Sequence, residues 1–397
     1  DTTQQIVSGR KNANEQLSKP YLILISADAF RYDYAKKYNA TNLLALSNEN
    51  IKAESMIPSF PSLTFPNHYT IATGMYPAHH GIVDNQFYDR NRKAAFNKKD
   101  TNDAKDGSWY GGTPIWVLAE KQHMLTAAYY FPGTEATIQN TLPTYWYRYS
   151  ENPNMDNRIE TVVEWLQLPE SIRPHLITFY ISNVDHAGHD FGPDAPQTEA
   201  AVHFVDDAIG KMVSKVDQLN LPVNFIFLSD HGMTVVDTVT RLDIYSRVDT
   251  SKFIVKGGGE SLNLYAKDSS YMKEAYNELK KNTVDYTVYL REDIPSKWHY
   301  NKTDDRFGRI GDIFIVPHHP KVFSWGNKRI EPGAHGFDPA MKDMHAVFYA
   351  WGPAFRKEKR IGSFENVNLF PLMCRILGLH YEHKIVGKLT ILESVLK

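Results

Sequence analysis

The chain has 397 residues, of which 42% are hydrophobic and 23% charged, and its formal net charge is −2. These values are typical of a globular protein with a large core in one or two domains. The nearly neutral balance gives no electrostatic basis for binding duplex nucleic acid or an anionic membrane, so we expect neither as a partner. No apolar run approaches the roughly 18 residues that span a bilayer, so we expect no membrane span.

Three short apolar strands are predicted, and each runs into residues of metal-ligand type. The strands and the residues that follow them are 21–26 with Asp28, 176–181 with Asp185, and 224–228 with Asp230 and His231. Segments 113–121, 158–167 and 197–219 have helical periodicity and lie between or after these strands. The alternation predicts an α/β fold with a mainly parallel central sheet flanked by helices. Ligands of such sheets collect beyond the carboxyl ends of the strands.

Two stretches do not fit this alternation. Residues 85–112 are polar and are predicted to be loop-like, whereas 238–330 carry strands of their own and a helix at 272–281. We expect one domain over 1–397, with a small inserted cap within about 238–330. The triplet Gly257–Gly259 lacks the Lys-Ser/Thr of a phosphate loop and is predicted to be a turn.

The only cysteine, Cys374, lies in an apolar, helix-like run at 369–377. It can form no internal disulfide and is predicted to pack in the core. A single thiol also excludes a cysteine cage for a metal ion. Any metal site must therefore be built from acids and histidines.

Acids and histidines of this kind recur along the chain together with one threonine. The set is Asp28, Thr64, Asp185, His189, Asp230, His231 and His335. Each alone has an ordinary structural explanation, such as a turn acid or a surface histidine. Three carboxylates, three imidazoles and one hydroxyl are nevertheless what a two-metal phosphoryl-transfer site with a covalent nucleophile requires.

Thr64 precedes Phe65-Pro66 and a predicted helix at 67–73. Its residue type fits a helix N-cap, and Pro66 fits the first turn. A catalytic role is compatible with this position, because the free N–H groups of a helix start bind phosphate oxygens. The sequence therefore predicts that Thr64 both begins a helix and acts as the nucleophile.

Several short motifs together resemble the nucleotide pyrophosphatase/phosphodiesterase family of the alkaline phosphatase superfamily. The resemblance extends from about residue 21 to 377 and rests on Thr64-Phe65-Pro66-Asn67-His68-Tyr69, Thr73-Gly74, His80-Gly81-Ile82-Val83-Asp84-Asn85, Asp185-x-x-Gly188-His189-x-x-Gly192-Pro193, Asp230-His231-Gly232 and His335-Gly336. It implies an alkaline-phosphatase-like core. The chain lacks the cysteine-rich and nuclease-like domains of the animal ecto-enzymes and looks like a bacterial relative with a single catalytic domain.

The resemblance implies two zinc ions with Thr64 between them. One ion is held by Asp185, His189 and His335, and the other by Asp28, Asp230 and His231. Asn85 is implied to donate a hydrogen bond to a non-bridging phosphate oxygen. Phe65 resembles an aromatic ring that stacks on one side of a nucleobase, and Tyr149 resembles the ring on the other side, although a packed aromatic loop at 145–149 explains Tyr149 equally well.

The implied activity is zinc-dependent hydrolysis of nucleotide phosphodiester and pyrophosphate bonds. It passes through a phosphothreonine intermediate and releases a nucleoside 5′-monophosphate. Nucleoside triphosphates, dinucleotides and nucleotide esters are the expected substrates. Because the numbering begins at Asp1 without Met, a processed signal and a periplasmic or secreted location are expected.

Other functions remain open from the sequence. The same metal site in this superfamily serves choline-headgroup phosphodiesterases, phosphonate hydrolases and phosphomonoesterases, and residues 86–112 could build a pocket for any of these. A binding protein with a relic metal site is the non-enzymatic alternative. Because all seven predicted metal-site positions are filled, the sequence favours an enzyme.

Overall fold

The computed structural model describes residues 3–281, 283–326 and 328–397. Its strands are β1 (Gln5–Ile6), β2 (Tyr21–Ala27), β3 (Ile51–Ala53), β4 (Met56–Ile57), β5 (Gln86–Asp89), β6 (Ala94–Asn97), β7 (Thr126–Tyr129), β8 (Tyr145–Tyr147), β9 (Leu176–Ile181), β10 (Val223–Leu228), β11 (Thr234–Val235), β12 (Phe253–Gly257), β13 (Leu262–Ala266), β14 (Tyr286–Leu290), β15 (Ile313–Pro317), β16 (Gly333–Ala334), β17 (Phe348–Trp351), β18 (Lys359–Ile361) and β19 (Phe364–Glu365). Its α-helices are α1 (Tyr34–Lys37), α2 (Thr41–Glu49), α3 (Thr64–Thr73), α4 (Pro77–His80), α5 (Thr101–Lys105), α6 (Ile115–Lys121), α7 (Met155–Gln167), α8 (Asn183–Phe191), α9 (Pro196–Asp217), α10 (Met272–Leu279) and α11 (Leu369–Leu377).

Nine strands form the central sheet, in the order β1-β8-β7-β9-β2-β10-β17-β3-β18. The block β8-β7-β9-β2-β10 is parallel throughout, whereas β17 runs antiparallel to both its neighbours. Every residue of β2, β9 and β10 is buried. Continuous apolar strands of this kind occur where helices cover both faces of a parallel sheet. The predicted α/β fold with a mainly parallel sheet is confirmed.

Two groups of helices pack around this sheet. Helix α9 contacts α2, α7 and α8, and helix α11 contacts β2, α3 and α6. Cys374 is buried in α11, as the sequence predicts. The predicted helices are confirmed with ends that shift by a few residues, which is ordinary for helix termini. None of the helices in the described residues is both long and apolar enough to cross a lipid bilayer.

A second, antiparallel sheet with the order β12-β13-β15-β14 lies within the predicted insertion at 238–330. It has its own apolar cluster, which includes Phe253, Leu264, Leu279 and Ile315, and helix α10 packs against β14. The triplet Gly257–Gly259 ends β12 and begins the connection to β13, as predicted.

The prediction of a loop-like segment at 85–112 is wrong. The segment contains the hairpin β5–β6 and the short helix α5. Two buried rings hold the hairpin, since Phe87 and Phe96 stack with their centroids 4.9 Å apart. A buried ion pair adds to this, because Arg309 Nε lies 2.8 Å from Asp89 Oδ2. Both interactions depend on tertiary contacts that the polar composition of the segment conceals.

Candidate active site

The carboxyl ends of β9, β2 and β10 lie side by side because these strands are adjacent and parallel. Asp28 directly follows β2, and Asp185 lies in the first turn of α8, after β9. Asp230 and His231 follow β10. The structure therefore brings four of the predicted ligands together at the edge where α/β sheets bind ligands.

Asp185, His189 and His335 form the first of two side-chain groups. Asp185 and His189 are four residues apart on α8, and Asp185 Oδ1 lies 3.4 Å from His189 Nε2. His335 follows β16, and its Nε2 lies 3.4 Å from the same carboxylate oxygen. One ligand atom from each residue lies within 4.8 Å of the other two. These three side chains can hold one metal ion.

Asp28, Asp230 and His231 form the second group. His231 Nε2 lies 3.4 Å from Asp28 Oδ1 and 3.0 Å from Asp230 Oδ2. The rings of His231 and His335 stack with their centroids 3.6 Å apart. In addition, ligand atoms of Asp28, Asp185 and His231 lie within 4.8 Å of one another. The two groups are therefore contiguous.

A backbone carbonyl oxygen orients each of the three imidazoles. The contacts are His189 Nδ1 to the Gly333 oxygen at 3.0 Å, His231 Nδ1 to the Gly232 oxygen at 2.9 Å, and His335 Nδ1 to the Ser62 oxygen at 2.8 Å. Because a carbonyl oxygen can only accept, each Nδ1 carries the proton and each Nε2 presents a lone pair. Metal-binding histidines are usually fixed in this way.

Each carboxylate of the site has a buried oxygen that finds no hydrogen-bond partner in the part of the chain that the structure describes. These atoms are Asp28 Oδ1, Asp185 Oδ1 and Asp230 Oδ2. The other oxygen of Asp28 accepts a hydrogen bond from the Tyr180 hydroxyl at 2.5 Å. A buried acceptor without a partner is costly, and a divalent cation would supply the missing partner. The set of acids and neutral imidazoles fits such a cation.

The electrostatics at Asp28 and His335 also favour a bound cation. Burial and the negative charges of Asp230 and Asp185 raise the pKa of the Asp28 carboxyl well above its usual range. Burial and the neighbouring His231 ring lower the pKa of His335 to about 4. A neutral imidazole is the form that binds a metal, and a cation among the acids relieves their mutual repulsion.

Thr64 lies beside these groups, with only 4% of its surface exposed. Its Oγ1 is 3.5 Å from His231 Nε2. The predicted N-cap role is wrong by one position, since α3 begins at Thr64 and Leu63 is the N-cap. Pro66 has no N–H, and the Asn67 N–H donates to the Leu63 carbonyl at 3.0 Å. The threonine hydroxyl is therefore not used for capping.

Two buried residues next to Thr64 were not singled out from the sequence. Asn67 Nδ2 donates to the backbone carbonyls of Ser59, Pro61 and Leu63 at 2.9–3.2 Å, which fixes the loop before the threonine. His68 Nδ1 lies 2.9 Å from the Thr64 carbonyl oxygen and 3.2 Å from Asp230 Oδ2. Both belong to the motif that contains Thr64, but only the folded chain shows what they contact.

Asn85 lies next to the start of α3. Its Oδ1 accepts a hydrogen bond from the Phe65 N–H at 3.1 Å, which leaves the Nδ2 donors for another acceptor. Asn85, Asp185, His189 and His335 line one cavity of about 550 Å³. The Phe65 ring is partly buried, with its centroid 6.3 Å from that of Phe96.

Tyr149 lies at the margin of the site. It is 45% exposed, and its ring contacts Tyr130 and Tyr180 at centroid distances of 5.4 and 6.2 Å. It lines a second cavity of about 590 Å³, and His186 lines both cavities. Among the described residues, Tyr149 makes no ring contact with Phe65. The base slot between these two rings stays a prediction.

Gly333→Ala tests how the first group is held together. A Cβ atom on Gly333 would lie 2.1 Å from the Gly188 carbonyl oxygen, so α8 and β16 would have to separate. We expect a loss of about 1–3 kcal/mol in the free energy of unfolding, together with weaker metal binding. Gly362→Ala is the matched control, because its Cβ would meet nothing within 4 Å. Equal melting temperatures and metal contents for the two variants would contradict this packing.

Comparison with known proteins identifies the family. A family model described as Type I phosphodiesterase / nucleotide pyrophosphatase matches residues 22–338. The chain is 34% identical to an uncharacterized pyrophosphatase/phosphodiesterase of Schizosaccharomyces pombe, over 94% of this chain and 80% of that one. It is also 34% identical to a bis(5′-adenosyl)-triphosphatase of Mus musculus, over 94% of this chain and 81% of the relative.

Other matches differ in length or are solved structures. A venom phosphodiesterase of Crotalus adamanteus is 33% identical over 90% of this chain, which spans 45% of the venom protein. An inactive threonine-to-alanine variant of murine ectonucleotide pyrophosphatase / phosphodiesterase 5, in complex with AMP, superimposes with a TM-score of 0.89. It is 27% identical and covers 96% of this chain and 100% of that one. The chain belongs to the type I phosphodiesterase / nucleotide pyrophosphatase family of the alkaline phosphatase superfamily and is a hydrolase of phosphodiester and pyrophosphate bonds.

Proposed function

We propose that the chain is a zinc-dependent nucleotide phosphodiesterase and pyrophosphatase that uses Thr64 as a covalent nucleophile and releases a nucleoside 5′-monophosphate. The convergence of the Thr64 hydroxyl with three acids and three imidazoles at one sheet edge carries this proposal. The inactive threonine-to-alanine variant of the murine relative and its complex with AMP support both the nucleophile and the nucleotide class.

Two zinc ions fit the donor set. Asp185, His189 and His335 would hold one ion, and the group of Asp28, Asp230 and His231 would hold the other. Zinc bound there supplies positive charge that lowers the pKa of a hydroxyl and offsets the charge that develops on phosphate oxygens. His68 also lies within reach of Asp28 and Asp230 but is not proposed as a ligand, because its Nδ1 donates to the Thr64 carbonyl oxygen at 2.9 Å and its Nε2 lies 2.8 Å from Ser26 Oγ.

The reaction follows from the position of Thr64. Its hydroxyl loses the proton to solvent, Oγ attacks phosphorus in line, the bond from phosphorus to the leaving oxygen breaks, and a phosphothreonine diester remains. Water then attacks from the vacated side, the bond from phosphorus to Oγ breaks, and a proton from that water restores the threonine hydroxyl. Asn85 orients the reacting group, since its free Nδ2 can donate to a non-bridging oxygen while the Phe65 N–H holds its Oδ1.

Domain organisation and location are part of the same proposal. The central sheet and the second sheet form one catalytic domain, with the second sheet as a cap beside the cavity, because Gly257–Gly259 line that cavity. We also propose a secreted or periplasmic location. Matches to venom and ectonucleotide phosphodiesterases support it.

The substrate class gives a direct test. A phosphomonoester dianion carries one more charge than a diester and needs a cationic clamp on its non-bridging oxygens. We assign the non-bridging oxygens of the reacting group to the neutral Asn85 and not to Lys98 and Lys99, which line the same cavity, so we expect kcat/KM for a nucleotide diester to exceed that for the matching monoester by about tenfold or more. A nitrophenyl monoester hydrolysed as efficiently as the nitrophenyl nucleotide ester would instead assign the chain to the phosphomonoesterases.

Phe65→Ala tests the nucleotide preference. Stacking of a base on an aromatic ring is worth about 1–3 kcal/mol, so we expect KM for nucleotides to rise about tenfold and base discrimination to weaken. Metal content should stay unchanged. Phe65→Tyr keeps the ring and serves as the conservative control. If the alanine variant discriminated among bases like the tyrosine variant, Phe65 would not be a stacking partner.

A further inference from the structure

Two lysines line the cavity that Asn85 shares with the metal-binding groups. Lys98 and Lys99 follow β6, and the Lys98 N–H donates to the Asn85 carbonyl oxygen at 2.9 Å. The hairpin register pairs Gln86 with Asn97, so Lys98, which follows Asn97, lies next to Asn85, which precedes Gln86. Lys98 Nζ lies 6.0 Å from the centre of the Phe65 ring. The hairpin therefore places both lysines at the wall of the cavity.

Neither ammonium group forms an ion pair with a carboxylate in residues 3–281, 283–326 and 328–397. Surface lysines elsewhere do pair, as Lys211 does with Asp156 at 2.9 Å. An unpaired ammonium in a cavity with a metal-ligand set is suited to an anion that arrives from solution.

Five carboxylates also line this cavity, those of Asp84, Asp185, Asp190, Glu260 and Glu331, but within the described ranges none of them forms an ion pair with Lys98 or Lys99. Glu331 Oε2 lies 3.2 Å from His189 Nδ1 and is engaged there. Burial raises the pKa values of Glu260 and Asp84, whereas the positive charge of Lys98 opposes this shift at both carboxyls. Across the cavity lies the glycine turn Gly257–Gly259, which carries no side chains to fill the space. The cavity thus contains two lysines that have no ion-pair partner among the described residues, and it has room for a bulky group.

We propose that Lys98 and Lys99 bind the phosphate groups of an anionic leaving group, which is pyrophosphate when the substrate is a nucleoside triphosphate. This inference rests on the proposed function. When Thr64 Oγ bonds to the α-phosphorus, the bond to the bridging oxygen breaks and its electron pair leaves with that oxygen. Negative charge therefore grows on the leaving group, and charge-assisted hydrogen bonds from two ammonium groups stabilise it.

The test compares two substrates that share one nucleoside 5′-phosphoryl group and differ in the leaving group. One is a nucleoside triphosphate and the other is the nitrophenyl ester of the same nucleotide, with monophosphate formation measured for both. For the double variant Lys98→Gln/Lys99→Gln we expect kcat/KM to fall about a hundredfold on the triphosphate, at about tenfold for each lysine. The change on the nitrophenyl ester should be at most about threefold.

Lys93→Gln is the matched control. Lys93 is exposed in the turn at the opposite end of the same hairpin, so Lys93→Gln removes one lysine charge outside the cavity. This control should keep the wild-type ratio of the two kcat/KM values. Inorganic pyrophosphate alone is also tested as an inhibitor of nitrophenyl ester hydrolysis. The inhibitory concentration should be about tenfold or more higher for the double variant than for the wild-type protein.

Three results would overturn the proposal. Equal losses on both substrates would mean that the lysines act on the reacting phosphoryl group, and no loss on either would mean that they bind no substrate phosphate. Unchanged inhibition by pyrophosphate would exclude binding of the leaving group. The proposed function is tested separately, by turnover of the nitrophenyl ester in the wild-type protein and by its loss in Thr64→Ala. Failure of the lysine proposal can therefore be distinguished from failure of the proposed function.

Discussion

Thr64→Ala is expected to lower turnover of a nitrophenyl nucleotide ester on the order of a thousandfold or more. The variant lacks the oxygen that forms the covalent intermediate, whereas the acids and imidazoles of both groups remain in place. Thr64→Ser keeps a hydroxyl and should retain part of the activity. Steady-state rates, with metal content measured on the same preparations, check this expectation.

Thr64→Val is the matched control for shape, because it removes the hydroxyl and keeps a branched side chain at the start of α3. It should be as inactive as the alanine variant. The threonine is nearly fully buried and faces His231, so a loss caused by altered packing would be smaller in the valine variant. Near-wild-type rates in either variant would exclude a covalent role for Thr64.

Removing one ligand is expected to have the second large effect. His335→Ala or Asp230→Ala should lower metal affinity at least about a hundredfold and abolish turnover together with it. In the proposed site each ion would be held by three protein side chains besides Thr64 or water, so either substitution would remove one of the three. Chelation of the wild-type protein should stop turnover, and added zinc should restore it.

His203→Ala is the control for removing a histidine, since His203 is exposed on α9 and lies 3.8 Å from Glu199. It should keep full metal content and activity. Elemental analysis of the wild-type protein, purified without chelator, should find close to two transition-metal ions per chain. Fewer than about one ion would count against a two-ion site.

Much of the scaffold could be predicted because it depends on local sequence patterns. The strands before Asp28, Asp185 and Asp230 are continuous apolar runs, and parallel strands bring their carboxyl ends together. The hairpin at 86–97 could not be predicted in this way. Its stability depends on the buried pair of Asp89 with Arg309, a residue 220 positions away in the chain.

The candidate site also combines features that follow from local sequence patterns with features that depend on tertiary contacts. Residue type and order predicted the acids, the imidazoles and Thr64, but not the environment that tunes them. The hydrogen bond from Tyr180 to Asp28 and the contacts of Asn67 arise from distant segments that meet in the fold. The position of Lys98 beside Asn85 follows from the hairpin register. It could not be predicted from the sequence, because the surrounding residues are polar and resemble an ordinary exposed loop.

The stereochemical course at phosphorus distinguishes a covalent threonine intermediate from direct attack by water. A nucleotide ester that is chiral at phosphorus through one sulfur atom would be hydrolysed in ¹⁸O-labelled water, and the configuration of the product determined. Attack by Thr64 followed by attack of water inverts phosphorus twice, so we expect net retention of configuration. Net inversion would show a single direct attack by water and would contradict the covalent threonine intermediate.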